Sequence, residues 1–353
     1  MSDRWDGRRV LITGHTGFKG AWLAWWLARR GARVAGFALA PEPDRPSLFA
    51  ELQLAEVVDS TIGDVRDAEA VRRAMARARP ELMLHLAAQA IVRRSYAAPR
   101  ETWETNVGGT AALLDAAREH TSLRAIVVVT SDKCYENRGL DRGYREDDPL
   151  GGRDPYSASK AAQELVAASY RASYFGDGPL LATVRAGNVI GGGDWSRDRL
   201  IPDVVQALQD DVPVVLRYPD AVRPWQHVLE PLHAYVRVAE RLSDGDRSVA
   251  SAYNIGPRDE DHRTVAEVVD RMYAAWRRTP AWTREPAAQA EEAAVLRLDA
   301  SKAARELGIA PRFGLDDACR RTASWYRAWA AGAGARALCD ADLDAYEEAA
   351  CRA

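Results

Sequence analysis

Cysteine is scarce: the 353-residue chain has four, Cys134, Cys319, Cys339 and Cys351, with no C-x-x-C pair and no clustering with histidine. That spacing argues against a zinc site or a disulfide framework; reduced thiols are expected, and no metal. A surplus of positive charge is also missing. Lys+Arg total 48 against 51 Asp+Glu, a net charge of −3, so the molecule as a whole offers no field for nucleic acid, although a local basic patch suffices for a diphosphate. No uncharged apolar run reaches the roughly 18 residues of a membrane span. Met1 to Arg9 is polar and charged, and the apolar run after it is short, which reads as a buried strand and not a signal peptide. A cytoplasmic protein is expected. Hydrophobic residues make up 47% and charged residues 28%, which excludes disorder over most of the chain. The length suits a nucleotide-binding domain carrying a smaller lobe.

Apolar runs alternate with helical periodicity through the first half. Val10 to Thr13, Arg33 to Ala38, Leu82 to Leu86, Ala125 to Thr130 and Leu181 to Arg185 read as strands; Phe18 to Arg29, Ala68 to Ala78, about Arg100 to Glu119 and Tyr156 to about Tyr174 read as helices. This alternation predicts an α/β fold, a doubly wound parallel Rossmann sheet with a smaller C-terminal substrate lobe. The expected division is residues 1–186 for the dinucleotide domain, 187–330 mainly for the lobe with some chain returning to the sheet, and 331–353 for a tail that is helical at the surface or frayed.

The first strand runs into Gly14-His15-Thr16-Gly17-Phe18-Lys19-Gly20. Glycines spaced G-x-x-G-x-x-G between a strand and a helix permit a tight turn and let backbone N–H groups approach a pyrophosphate at the helix's positive end. Gly63-Asp64-Val65 after a strand-like run places a carboxylate for an adenine amine. Leu86-Ala87-Ala88 ends the next strand with small residues, and Asn106 sits where its amide can tie neighbouring backbone together. The second strand ends Phe37-Ala38-Leu39-Ala40 with no acid to mark NAD, and no arginine stands nearer than Arg45 to mark NADP.

Tyr156 and Lys160 stand four apart, on one face of a helix begun by Asp154-Pro155. An ammonium there lowers the pKa of the phenol, about 10 unperturbed, and makes it a usable proton-transfer group for a sugar hydroxyl. Ser131 follows the most apolar strand, where doubly wound sheets place their ligands.

These pieces, with Thr130-Ser131-Asp132-Lys133-Cys134-Tyr135, Gly187-Asn188-Val189-Ile190-Gly191-Gly192-Gly193-Asp194-Trp195, Arg199, Pro202 and Arg223-Pro224-Trp225-Gln226-His227-Val228, resemble the extended, sugar-nucleotide branch of the short-chain dehydrogenase/reductase family, and within it the CDP-glucose 4,6-dehydratases. The resemblance runs from about residue 7 to 330. It implies NAD as cofactor and a nucleotide sugar as substrate. Tyr156 would deprotonate the C4 hydroxyl as hydride leaves C4, water would be lost across C5 and C6, and hydride would return to C6. Asp132 is the implied acid at the C6 hydroxyl. Lys133 takes the place of the base, a role that a lysine with its usual pKa near 10.4 fills only if burial lowers it; otherwise it stabilises an enolate as a cation. Arg199 and Arg223 are implied diphosphate contacts and Asn188 and His227 sugar-nucleotide contacts, while Gln89, Arg93, Arg94 and Ser95 follow a strand end that lines the hexose. A homodimer or dimer of dimers is implied, built on the helices at about Arg100 to Glu119 and Tyr156 to Tyr174.

Two rivals share the fold. A 4-epimerase returns hydride to C4 and has no use for Asp132-Lys133. A non-catalytic NAD-binding regulator has no use for Ser131, Tyr156 and Lys160. The base of the nucleotide rests on the resemblance alone.

Overall fold

The computed structural model describes residues 4–286 and 293–350. Its strands are β1 (Arg9–Thr13), β2 (Arg33–Ala38), β3 (Asp59–Ile62), β4 (Leu82–His85), β5 (Ala125–Val129), β6 (Leu180–Ala186), β7 (Asn188–Ile190), β8 (Val214–Leu216), β9 (Val222–His227), β10 (Ala252–Ile255), β11 (His262–Thr264) and β12 (Trp282–Arg284). Seven of them form one sheet in the order β10-β6-β5-β4-β1-β2-β3, every pair parallel. Strand order reverses between β1 and β4, the place where open α/β sheets hold ligands beyond their strand ends.

Burial explains why these runs are strands. Alternate residues face opposite sides: Val10, Ile12, Val127 and Val129 enter one apolar cluster, Leu11, Ile126 and Val128 the other. Helices cover both sides, so β5 (AIVVV) carries no polar residue and is buried throughout. The helix Pro155–Ser173 starts where Asp154 accepts the Ser157 N–H at 3.0 Å, with proline at its first position.

The helix expected over about Arg100 to Glu119 forms as one helical run, Pro99–Trp103, a π turn over Glu104–Gly108 and Gly109–Ala117; the short helix Val92–Ala97 precedes it. Ala98 sits outside helical backbone, at φ −135° and ψ 64°, as a residue before proline prefers.

After β6 the chain leaves the sheet through β7, β8 and β9, returns to pair β10 with the edge of β6, and then adds β11 and β12, which complete the small sheets β11-β9-β7 and β12-β8. The C-terminal segment is not frayed. Helix Ala335–Ala350 packs against the first helix, Phe18–Arg29, with Trp26 edge-on to Tyr346 and Trp25 Nε1 donating to Asp340 at 2.9 Å; Leu315–Ala330 packs beside β9, and Cys339, Leu343 and Tyr346 are fully buried. Glu230 fixes that docking by accepting from Tyr346 Oη at 2.8 Å, Phe313 N at 2.7 Å and Arg312 N at 3.0 Å. Cys134, Cys319 and Cys339 are buried free thiols; Cys351 lies outside the described residues. No described helix is long and apolar enough to cross a membrane.

Burial pushes Glu230 up to about 7 against the hydrogen bonds from Phe313, Tyr346 and Arg312. The folded chain therefore holds this proton more tightly than the unfolded one. The stabilisation is fully present below the ordinary glutamate range and is lost as pH rises through about 7. Thermal melts of the wild type and Glu230→Gln from about pH 5 to about pH 8 should show the wild type losing ground to the variant as pH rises; a constant gap would contradict it.

Candidate active site

Gly14 leaves β1 at φ +79°, in the left-handed region. A Cβ there would lie 2.8 Å from Ala87 N, and one on Gly20 would lie 2.0 Å from Gly14 O. Those two glycines let the loop, the helix and the end of β4 touch. Gly17 differs: its N–H bonds Gly14 O at 3.1 Å, and a Cβ on it would meet only Gly14 O at an ordinary 3.5 Å. The first amides of the Phe18–Arg29 helix thus open on a groove of about 470 Å³. Gly14, Thr16 to Gly20, Asp64, Val65 and Leu86 to Ala88 all border it. Asp64 accepts from Arg66 N and Arg66 Nε, each at 2.9 Å, and Arg66 holds its carboxyl below the usual range. Beyond β2, Thr16 Oγ1 donates to Leu39 O at 2.8 Å. Arg45 is already engaged, with Glu42 at 3.0 Å and Trp195 O at 2.8 Å.

A second cavity of about 280 Å³ adjoins the groove beyond β5 and β6. Lys19, Leu86, Ala88, Asp194 and Arg199 border both. Into it the fold brings Ser131, Asp132, Lys133, Tyr156, Lys160, Asn188, Arg199 and Arg223. Ser131 begins the turn after β5: its hydroxyl accepts the Lys133 N–H at 3.2 Å and donates to Asp132 Oδ1 at 3.0 Å. Asp132 is 3% exposed, and its Oδ2 is buried with no hydrogen-bond partner among the described residues. Burial raises its carboxyl, while Lys133, Ser131, Arg223 and Lys19 pull the other way. Tyr156 departs from expectation. Burial pushes its phenol up to about 12, opposed by a hydrogen bond with Ser131. The Lys160 ammonium is engaged elsewhere: it donates to Gln163 Oε1 at 2.8 Å and Val129 O at 3.4 Å. Burial and the nearby Lys19 bring Lys160 down to about 7. Lys19, at the junction of the two cavities, is likewise brought to about 8 by burial and Arg199.

Five expected contacts fall elsewhere. His227 is fully buried and packs edge-on against Trp22 and Phe313; β9 carries it past the cavity, beside Ile190 and beyond the Asn188–Trp225 pair. Ser95 is buried and donates to Val92 O at 2.6 Å. Gln89 reaches the groove, but its amide is committed to Thr102 Oγ1 at 2.8 Å and Ile91 N at 2.7 Å. Arg94 also borders the groove and not the second cavity, paired with Glu101 at 2.7 Å. Asn106, fully buried in the π turn, does not border the groove but ties neighbouring backbone together as expected. Its amide accepts from Gln89 N at 2.8 Å and donates to Gln89 O at 3.1 Å and Ser159 Oγ at 2.9 Å.

The sequence reading missed Asp203, Arg217 and Tyr218, which line the second cavity from the lobe. Arg217 stands 3.8 Å from both Asp198 and Asp203, and burial pushes Asp203 up to about 6. No periodicity or motif marks these residues.

The glycine geometry gives a direct test. Gly17→Ala should cost about 1 kcal/mol or less and Gly20→Ala about 3 kcal/mol or more, read by denaturant unfolding. Equal losses would mean that the loop is packed otherwise.

Residues 11–322 match the family described as GDP-mannose 4,6 dehydratase. A CDP-glucose 4,6-dehydratase of Salmonella typhimurium is 47% identical over 334 residues, 93% of each chain. A dTDP-glucose 4,6-dehydratase of Streptomyces griseus is 33% identical over 275 residues, covering 76% of this chain and 78% of its own. Among solved structures, DesIV, a dTDP-glucose 4,6-dehydratase of Streptomyces venezuelae with NAD and TYD bound, superposes with TM-score 0.77 at 26% identity, covering 91% of this chain and 97% of its own. A UDP-glucose-4-epimerase of Stenotrophomonas maltophila with bound NAD superposes with TM-score 0.79 at 25% identity, covering 92% and 100%. The fold agrees with these likenesses, and the chain belongs to the GDP-mannose 4,6 dehydratase family of extended short-chain dehydrogenase/reductases.

Proposed function

We propose that this chain is a CDP-glucose 4,6-dehydratase that uses NAD and acts in the cytoplasm, forming CDP-4-keto-6-deoxyglucose and water. The observation that carries the reaction type is the buried Asp132 carboxyl, one oxygen unpartnered, in the same cavity as Tyr156. An epimerase needs no such acid. The 47% identity to the Salmonella enzyme over 93% of the chain supports CDP as the nucleotide.

The groove fits a dinucleotide. Gly17 leaves the helix's first amides open beside Thr16 to Gly20, and Ala87 and Ala88 keep the floor low. Arg45 is engaged by Glu42 and Trp195 and Arg197 by Asp44, so the described guanidinium groups at that end of the groove are already paired, which favours NAD over a cofactor with a 2′-phosphate. Bound there, NAD would supply a hydride acceptor for C4 and a donor for C6.

The protein's own groups carry the protons. Tyr156, placed by Ser131, takes the proton of the C4 hydroxyl. Asp132, its carboxyl kept protonated more readily by burial, gives a proton to the C6 hydroxyl, which leaves as water. Lys133 borders the same cavity and serves C5, either taking its proton or stabilising the enolate that forms. Arg223 and Arg199 face the diphosphate.

The reading of a homodimer rests on exposed apolar side chains along the expected bundle helices: Leu165 is 61% exposed and Trp103 40%. Light scattering should give a dimer or a multiple of it for the wild type and a smaller species for Leu165→Glu.

The purified protein with NAD should dehydrate CDP-glucose and leave dTDP-, UDP- and GDP-hexoses unchanged, read by mass spectrometry. Dehydration of another nucleotide sugar would overturn CDP; inversion at C4 without loss of water would favour the epimerase. Asp132→Asn should lower turnover by about 10²- to 10⁴-fold and accumulate reduced nicotinamide. A variant slowed equally in oxidation would remove Asp132 from the elimination.

A further inference from the structure

Lys160 begins a chain of buried polar groups that the steps above do not use. Its ammonium donates to Gln163 Oε1 at 2.8 Å, and Gln163 Nε2 donates to Thr110 Oγ1 at 2.8 Å. His85 Nε2 meets the same hydroxyl oxygen at 3.0 Å. On its other side His85 Nδ1 meets Thr13 Oγ1 at 2.7 Å, and Thr13 Oγ1 accepts the Ala87 N–H at 3.2 Å. Thr13, His85, Thr110 and Gln163 are fully buried and Lys160 is 3% exposed.

The direction of each bond follows from counting protons. Thr110 has one hydroxyl proton and gives it to Asn106 O at 2.6 Å. Toward Gln163 and His85 it only accepts. His85 therefore carries its proton on Nε2 and receives the Thr13 hydroxyl at Nδ1. Burial and the neighbouring Lys160 push His85 down to about 3, so the ring is neutral. Donors converge on Thr110 from both ends. Such a chain cannot hand a proton along; it can only hold its members in place.

We propose that Gln163, Thr110 and His85 are positioning residues, which fix the Lys160 ammonium relative to Tyr156 and tie it to the ends of β1 and β4 where the glycine loop begins. The proposal rests on the proposed function and on reading Lys160 as the lysine that tunes the Tyr156 phenol and would also hold the nicotinamide ribose of NAD. A lysine has a flexible stem and three rotatable donors, and Val129 O at 3.4 Å is a weak anchor. The far end of the chain, Ala87 N, is the atom against which Gly14 packs. One buried network thereby sets the lysine and the loop in a common frame. The charged or titratable groups that act on Lys160 are Lys19 from the glycine-loop helix, Glu164 on its own helix and Cys134 after β5.

The test compares wild type, Gln163→Leu and Gln163→Glu, each as full-length enzyme with NAD and CDP-glucose. Gln163→Glu keeps an acceptor for the ammonium. In single turnover, reduced nicotinamide should form about 10- to 100-fold more slowly in Gln163→Leu, with little change in KM for the sugar nucleotide, and Gln163→Glu should recover most of the rate. NAD affinity measured by calorimetry should fall in the Leu variant and recover in the Glu variant. Hydride transfer at the wild-type rate in Gln163→Leu, or a Glu variant as slow as the Leu variant, would overturn the proposal. If Gln163→Leu fails to fold, Thr110→Val against Thr110→Ser, which keeps the hydroxyl, makes the same comparison. A wild type that never reduces NAD would overturn the dehydratase reading beneath it, and the proposal with it.

Discussion

The ion pair between Arg185 and Glu164 is the contact on which the rest of the active site is built. Each partner is 4% exposed, and their closest atoms are 2.8 Å apart. Taking two charges out of water costs several kcal/mol per ion, repaid only when the remaining polar atoms are also bonded. Here they largely are. Glu164 accepts the hydroxyls of Thr130 and Thr183, and Arg185 donates to Tyr135 Oη at 2.8 Å and Glu146 O at 3.1 Å. Tyr135 in turn donates to Asn254 Oδ1 at 2.6 Å. The pair thus joins the helix that bears Tyr156 and Lys160 to β6, to the end of β5 where Ser131 begins, and to β10 beyond the lobe. Loss of either charge would leave the other buried alone, in the middle of the elements that aim the reacting groups.

Above this joint the two cavities share a wall. Lys19 and Arg199 border both, so the cations that face one ligand also face the other. Asp132 and Asp194 lie close enough to raise the pKa of Lys19 while Arg199 lowers it. The arrangement concentrates charge at the place where a cofactor and a sugar would meet.

Much of this was legible in the sequence, wherever one stretch of chain determines its own structure. The glycine spacing, the apolar run of β5 and the Asp154-Pro155 helix start are local, and their elements form as read. What escaped depends on distant partners. The π turn in the helix at Asn106 coincides with that side chain's bonds to the distant Gln89 backbone. His227 shares a strand with Arg223, but only the pairing of β9 with β7 reveals that it lies past the cavity. Tyr156 and Lys160 stand four apart as expected, yet Gln163, one turn on, competes for the ammonium. The docking of the alanine-rich C-terminal helix was not legible because the acceptor that helps hold it, Glu230, is far away in the chain.

The return of β10 to the sheet has a consequence for synthesis. β6 is buried along its whole length, and its outer edge is covered only by a strand that starts at Ala252. A chain still growing on the ribosome therefore carries an uncapped, apolar ribbon edge throughout the making of the intervening lobe. Such edges recruit other strands, and pairings this distant form slowly. The nascent protein is at its most aggregation-prone in that interval, and the same lobe that completes the substrate cavity ends it by delivering the strand that seals the sheet.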